Sequence, residues 1–252
     1  DMLQLLSLGR DGLRRAGDAL ARGQATRPDE VKLLPPVPRP EKIFCIGLNY
    51  ADHARETGKE PPPEPVVFSK FITALRGHGE PIVLPRLSDQ VDFEAELVVV
   101  IGEGGRHIPK EKALSHVAGY ACGNDVSARD WQNHKPGRQW LLGKSFDSFA
   151  PLGPELVTAD EVGDAGDLRI QLRIDGRTMQ DSRTSQLIFG VAELIRYISG
   201  VCTLRPGDLI FTGTPPGVGF ARQPPVFLQP GNVVEVEIEG IGILRNPVVG
   251  ET

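Results

Sequence analysis

Val91-Asp92-Phe93-Glu94-Ala95-Glu96-Leu97-Val98-Val99-Val100-Ile101 reads as a β-strand that opens with acids and closes in an unbroken apolar run. Side chains alternate faces along a strand, so Glu94 and Glu96 point the same way, roughly 7 Å apart at their Cα atoms. The next residue on that face is Val98, so the face turns apolar where the carboxylates end. Two acids on a half-buried face repel each other and lose hydration unless a cation compensates. A hard divalent cation is the simplest compensation. A solvated edge strand carrying two glutamates fits the same pattern.

A third carboxylate favours the metal. Gly119-Tyr120-Ala121-Cys122-Gly123-Asn124-Asp125-Val126-Ser127-Ala128-Arg129-Asp130-Trp131-Gln132 reads as a strand ending at Asn-Asp, then a turn into a helix with Ser127 as N-cap. Asp125 alone also suits a plain turn residue. Joined to Glu94 and Glu96 it completes an all-oxygen set. Such a set suits Mg²⁺ or Mn²⁺, with Ca²⁺ also allowed, and argues against zinc, which prefers Cys and His.

The 252 residues suffice for one large domain, or one domain plus an appendage. A formal net charge of −5 makes no electrostatic case for nucleic acid or an anionic membrane. No apolar run reaches the length of a membrane span. Cys45, Cys122 and Cys202 form no CxxC and read as free thiols of a cytoplasmic protein. Asp1 opens the sequence in place of Met and no signal peptide is visible, so the natural N-terminus is expected upstream.

Along the chain, Asp1 to about Arg22 has helical spacing, and Pro28, Pro35, Pro36, Pro38 and Pro40 make a stiff connector. Strands are expected at Lys42 to Gly47, Val66 to Phe71, over much of Ile82 to Gly123, at Asp208 to Thr212, Val233 to Ile238 and Ile243 to Val249. Asp175-Gly176 turns a hairpin. Helices are expected at Asn49 to Thr57, Pro109 to His116 and, most clearly, Thr184 to Ser199. Many strands with a few helices give an α+β class, without regular βαβ alternation.

His53 and Glu56 lie three apart and share a face if Asn49 to Thr57 is helical. A carboxylate beside an imidazole orients it as a general base. A surface helix with scattered polar residues explains the same spacing. The Gly- and Pro-rich segment that follows suggests a mobile lid. Lys144, inside an apolar and aromatic stretch, is placed to neutralise a substrate carboxylate or an enolate. Arg129 and Gln132 follow Asp125 and suit the same anion, with Lys70 a weaker candidate. The turn Thr212-Gly213-Thr214-Pro215-Pro216-Gly217-Val218-Gly219 offers backbone N–H groups and the Thr214 hydroxyl to a carboxylate. His78, His107, His116 and His134 show no partner pattern, and no Gly-x-Ser-x-Gly elbow is present.

Five ordered stretches together resemble the fumarylacetoacetate hydrolase superfamily. They are Gly47 to His53, Asp92 to Leu97, Asn124 to Asp130, Gly143 to Asp147 and Thr212 to Pro215. Trp131-Gln132 and Gly137 to Lys144 look closest to its domain-containing protein 2 group. The resemblance spans about Glu41 to Val249. It implies a mixed β-sandwich roll with a few short helices, a homodimer and a Mg²⁺ or Mn²⁺ site. By motif its metal ligands fall on Glu94, Glu96 and Asp125, its His–Glu pair on His53 and Glu56, and its substrate cations on Arg129 and Lys144. Gln132 and Thr214 match further substrate contacts. Residues 1–40 look like the remnant of a small N-terminal domain plus linker, ahead of a catalytic domain at 41–252. The large N-terminal domain of fumarylacetoacetate hydrolase proper has no counterpart here.

The activity expected from the resemblance is metal-dependent C–C hydrolysis of an acylpyruvate-type 2,4-dioxo acid through a pyruvate enolate. The alternatives on the same site are an oxaloacetate tautomerase or decarboxylase, or an isomerase of an unsaturated dioxo acid. An idle binding protein for small acids is the alternative of another class. The expected partner is a small 2-oxo acid.

Overall fold

A computed structural model describes residues 2–23, 27, 30–56, 58 and 60–252, with Arg10 by its backbone alone. Its strands are β1 (Ile43–Gly47), β2 (Val66–Ser69), β3 (Leu75–Arg76), β4 (Ile82–Leu84), β5 (Val91–Asp92), β6 (Ala95–Ile101), β7 (Val117–Asn124), β8 (Ser127–Ala128), β9 (Ala150–Thr158), β10 (Arg169–Ile174), β11 (Arg177–Arg183), β12 (Leu209–Phe211), β13 (Val233–Ile238) and β14 (Gly242–Gly250). The helices are α1 (Met2–Ser7), α2 (Gly9–Arg22), α3 (Ala51–Glu56), α4 (Arg129–His134), α5 (Leu141–Lys144), α6 (Ala159–Val162) and α7 (Val191–Val201). This is the mixed, few-helix sheet roll expected from the sequence. No helix among the described residues is long and apolar enough to cross a membrane.

One sheet runs β2-β1-β12-β6-β7-β9-β3 and the other β11-β10-β13-β14-β4, with β5 and β8 as a separate pair. The first is mixed: β1 lies parallel to β12, and β12, β6 and β7 are antiparallel in turn. Strand β6 sits near its middle, and all seven of its residues are buried. One side packs toward β10 and β13 of the second sheet. Cover on both faces explains why Leu97 to Ile101 reads as continuous apolar sequence, not as alternation.

The structure differs from the sequence reading at several elements. The opening stretch is not one strand: β5 ends at Asp92 and β6 begins at Ala95. The break is made by side chains, because the Glu94 N–H donates to Asn124 Oδ1 and the Phe93 N–H to Asp92 Oδ1. Glu94 therefore stands just outside the strand it was expected to share with Glu96. The Thr184 helix begins later, at Val191, after a 3₁₀ turn over Thr184–Gln186. The Leu187 N–H closes that turn on Thr184 O, and the Ile188 N–H is drawn away to Asn49 O. The Pro109 segment is 3₁₀ over Lys110–His116. Ser127 does not cap α4. The N-cap is Ala128, and the Ser127 hydroxyl donates to Asp125 O. The first helix is two, parted at Leu8 where Gly9 has φ 57°. Asp1, Pro28 of the connector and Thr57 at the end of the expected Asn49–Thr57 helix lie outside the described residues.

Gly123 on β7 faces Glu96 across the β6–β7 ladder. A Cβ there would stand 2.4 Å from Val98 Cγ2 and 2.7 Å from Phe211 Cε1. Gly123→Ala is expected to cost about 1–3 kcal/mol through overpacking. Urea denaturation measures this directly, and an unchanged midpoint would contradict the packing account.

Candidate active site

Strand β1 delivers the chain into α3 through Asn49, which is fully buried. Its Nδ2 donates to Thr212 O at 2.7 Å and Phe189 O at 3.0 Å, and its Oδ1 accepts the Phe189 N–H at 2.8 Å. These bonds hold the start of α3 against the loop after β12. Asp52 caps the His53 N–H and accepts from Ser182 Oγ. On the next turn His53 Nδ1 meets Glu56 Oε2 at 3.0 Å, and Glu56 Oε1 accepts the Gly217 N–H at 2.9 Å. The i, i+3 pair of the sequence thus forms, with Glu56 held from two sides.

Ligand atoms of Glu94, Glu96 and Asp125 lie within 4.8 Å of one another, all three residues buried. Three cations enter the same cluster. Lys144 Nζ bridges Glu94 Oε2 at 2.9 Å and Asp125 Oδ2 at 2.8 Å. Arg129 Nη2 meets Glu94 Oε1 at 2.7 Å and its Nε meets Asp92 Oδ2 at 2.8 Å. Lys70 Nζ, its side chain wholly buried, lies 2.6 Å from Asp125 Oδ1 and also donates to Val126 O and Lys144 O.

Burial alone would raise the Glu94 carboxyl, but the charges of Lys144 and Arg129 outweigh it and hold Glu94 below the usual carboxylate range. Burial works against a charged Lys144 too, and Asp125 and Glu94 overcome it, so that lysine holds its proton more tightly than usual. For Lys70 burial wins and its pKa falls. Glu96 is the exception among the acids. Burial first, then the charges of Asp125 and Glu94, push it well above the ordinary range.

The cluster fits a divalent cation. With Asp92 included, four buried carboxylates face three cations, so one acid, Glu96, is left without a counter-charge. Glu96 accepts the Gly213 N–H at 2.7 Å, and among the described residues no lysine or arginine pairs with it. Among the described residues, Tyr50 Oη and Asn124 Nδ2, buried beside these acids, have no hydrogen-bond partner. Such atoms call for an acceptor, which a water on a bound ion would supply. The all-oxygen donor set is that of a hard cation.

The loop after β12 departs from its expected part. Its amides grip carboxylates of the protein itself: Gly213 holds Glu96, Gly217 holds Glu56, and Gly219 with Phe220 holds Asp92. Only Gly suits position 217, where φ is 101° and a Cβ would stand 2.1 Å from Met179 O. Asp92 went unnoticed in the sequence although it lies inside the opening stretch. It is fully buried and accepts from three backbone N–H groups and Arg129. Gln180 was also missed, and no local pattern marks it.

A cavity of about 100 Å³ is lined by His53, Glu94, Arg129, Gln132, Lys144 and Thr214, with Phe68, Trp140 and Phe220 as apolar walls. Arg129 Nη1 donates to Gln132 Oε1 at 2.8 Å, and its guanidinium lies 4.4 Å from the Phe220 ring centroid. The structure therefore brings the expected residues together around one space, with Glu96 and Asp125 behind Glu94 and Lys144. A larger cavity of about 620 Å³, between α7 and the Asp164–Gly166 turn, contains none of them.

Residues 42–249 match the family described as fumarylacetoacetate (FAA) hydrolase C-terminal. The chain belongs to the fumarylacetoacetate hydrolase family. It is 50% identical over 249 residues to the bovine protein (Bos taurus) named oxaloacetate tautomerase FAHD2A, mitochondrial, covering 98% of this chain and 79% of that relative. The human protein (Homo sapiens) of the same name is 49% identical over the same shares. Among solved structures, the maleylpyruvate hydrolase of Sphingobium sp. SYK-6 superposes with a TM-score of 0.84 at 34% identity, covering 99% of this chain and 86% of that one. The 2-hydroxyhepta-2,4-diene-1,7-dioate isomerase of Mycobacterium marinum gives 0.79 at 40% identity, covering 91% and 82%. The mitochondrial relatives overturn the cytoplasmic expectation. Free thiols suit a reducing compartment and do not choose among such compartments.

Asp92→Asn would remove one of the two carboxylates that pair with Arg129 and place an amide N–H₂ among N–H donors. A stability loss of about 3–5 kcal/mol is expected in chemical denaturation. A loss below about 1 kcal/mol would show that Asp92 does not organise the site.

Proposed function

We propose that the protein interconverts the enol and keto forms of oxaloacetate, using Glu94, Glu96 and Asp125 to hold Mg²⁺ or Mn²⁺. The observation that carries this reading is the His53–Glu56 pair opening onto a cavity of about 100 Å³. That volume lies well below the roughly 300–1,000 Å³ of pockets for drug-sized ligands. It suits a four-carbon dicarboxylic acid and leaves little room for a long acyl chain. The relatives named oxaloacetate tautomerases support the choice.

A bound divalent cation supplies Lewis-acid polarisation of a 2-oxo group. The residues of the chain do the rest. Arg129, Gln132 and Thr214 bind and orient the carboxylates. Tautomerisation toward the enol needs a proton removed at C3 and one delivered at O2. His53 Nε2 takes the C3 proton while Glu56 and Gly217 keep the ring aimed through Nδ1. Lys144, kept protonated by its two carboxylates, offsets negative charge at O2, and the proton taken by His53 is returned at O2 to complete the enol. Phe68, Trp140 and Phe220 limit the water that would compete for the proton.

Hydrolysis of an acylpyruvate is the second reading. It is favoured by the same dyad, which can activate water, and by the likeness to maleylpyruvate hydrolase. Product analysis separates the two. Fast loss of enol absorbance from oxaloacetate with acylpyruvates left uncleaved supports the tautomerase, and release of pyruvate from acylpyruvates replaces it with the hydrolase.

His53→Ala is expected to lower tautomerase turnover by about 10²–10⁴ while KM changes little. Full turnover in this variant would remove His53 from the mechanism. Glu96→Gln is expected to abolish Mg²⁺ binding in titration calorimetry, and undiminished binding would place the ion elsewhere. Family membership further suggests a homodimer, and sedimentation as a monomer at micromolar concentration would contradict it.

A further inference from the structure

We propose that Gln180 is a positioning residue: it fixes the Thr214 hydroxyl as a hydrogen-bond donor directed at the substrate carboxylate. The inference rests on the reading of this cavity as a 2-oxo acid site, and it adds a residue to that site from outside its motifs.

Gln180 lies on β11, only 1% exposed. Its Nε2 donates to Thr214 Oγ1 at 2.8 Å and to Pro215 O at 2.8 Å, and its Oε1 accepts the Ala95 N–H at 2.8 Å. Two of these partners work one way only. A carbonyl oxygen accepts and a backbone N–H donates, so the amide has a single permitted orientation. The remaining N–H of Nε2 then has to donate to Thr214 Oγ1. A hydroxyl that accepts at its oxygen keeps its own proton for another partner. Thr214 lines the cavity with His53, Arg129 and Lys144, so that proton serves an anion bound there. Hydrogen bonds to a carboxylate are roughly twice as strong as neutral ones, which gives the direction of this proton weight in binding. The same amide grips Ala95, the residue between Glu94 and Glu96. One side chain thus sets the separation of the hydroxyl wall from the acidic wall.

Gln180→Glu keeps the shape and reverses the polarity, because an ionised carboxylate makes the Thr214 hydroxyl donate inward. Gln180→Met is neutral, of similar length, and leaves the hydroxyl free to turn. With Mg²⁺-loaded protein, KM for oxaloacetate is expected to rise about tenfold in Gln180→Glu and about threefold in Gln180→Met, with kcat within about threefold. In a Thr214→Val background neither change should raise KM further. Equal rises with and without the hydroxyl would mean charge or packing and would overturn the proposal, as would an unchanged KM in a folded Gln180→Met. Calorimetry with oxalate, whose two joined carboxylates stand in for a carboxylate beside an enolate oxygen, reads the same coupling without turnover. If the wild type binds oxalate with the expected coupling but does not convert oxaloacetate, the tautomerase reading falls and the role of Gln180 stands. If the wild type does not bind oxalate, both fall.

Discussion

Four carboxylates buried side by side, Asp92, Glu94, Glu96 and Asp125, are the constraint on which the rest of the site depends. Like charges in a low-dielectric interior must be paired, protonated or bonded to donors. The protein uses all three means. Lys70, Lys144 and Arg129 pair with three of the acids. Glycine amides of one loop hold Asp92 and Glu96. Glu96, left without a cation, is driven toward its protonated form.

This constraint explains the irregular backbone. The chain leaves β5 at Asp92 because the Asp92 carboxylate collects N–H groups from its neighbour and from the loop after β12. It rejoins the sheet at Ala95, whose N–H is satisfied by Gln180. The 212–220 loop is shaped by the acids it binds, and Glu56 extends the pattern by drawing α3 onto Gly217. The His53–Glu56 pair, the acidic cluster and the 212–220 loop are therefore parts of one hydrogen-bonded unit. Solved relatives with this fold carry the names of an isomerase and of a hydrolase.

Much of the site was legible locally. Glu94 and Glu96 stand two apart beside an apolar run, and Asp125 ends a neighbouring strand, so adjacency in the sheet brings them together. His53 and Glu56 needed only one helical turn. Thr214 was visible as a hydroxyl in a glycine-rich turn. Lys70 is a weak candidate by sequence because its neighbours Ser69 and Phe71 are both exposed and give no hint of its own burial. Lys144 and Arg129 were read as free for substrate, whereas the structure has both in ion pairs with the acids.

The sequence by itself determined the α+β class, most of the strands, the family and most side chains that line or underlie the candidate site. Each is carried by residue type and short-range spacing, which periodicity and motif express directly. The tertiary structure decided what those residues pair with. It ended β5 at Asp92, delayed α7 to Val191, gave Asp92 its place as anchor and joined Gln180 to Thr214 and Ala95. These contacts span 30 or more residues along the chain. They follow from burial and the need to satisfy every buried donor and acceptor, a condition that exists only once the chain has packed.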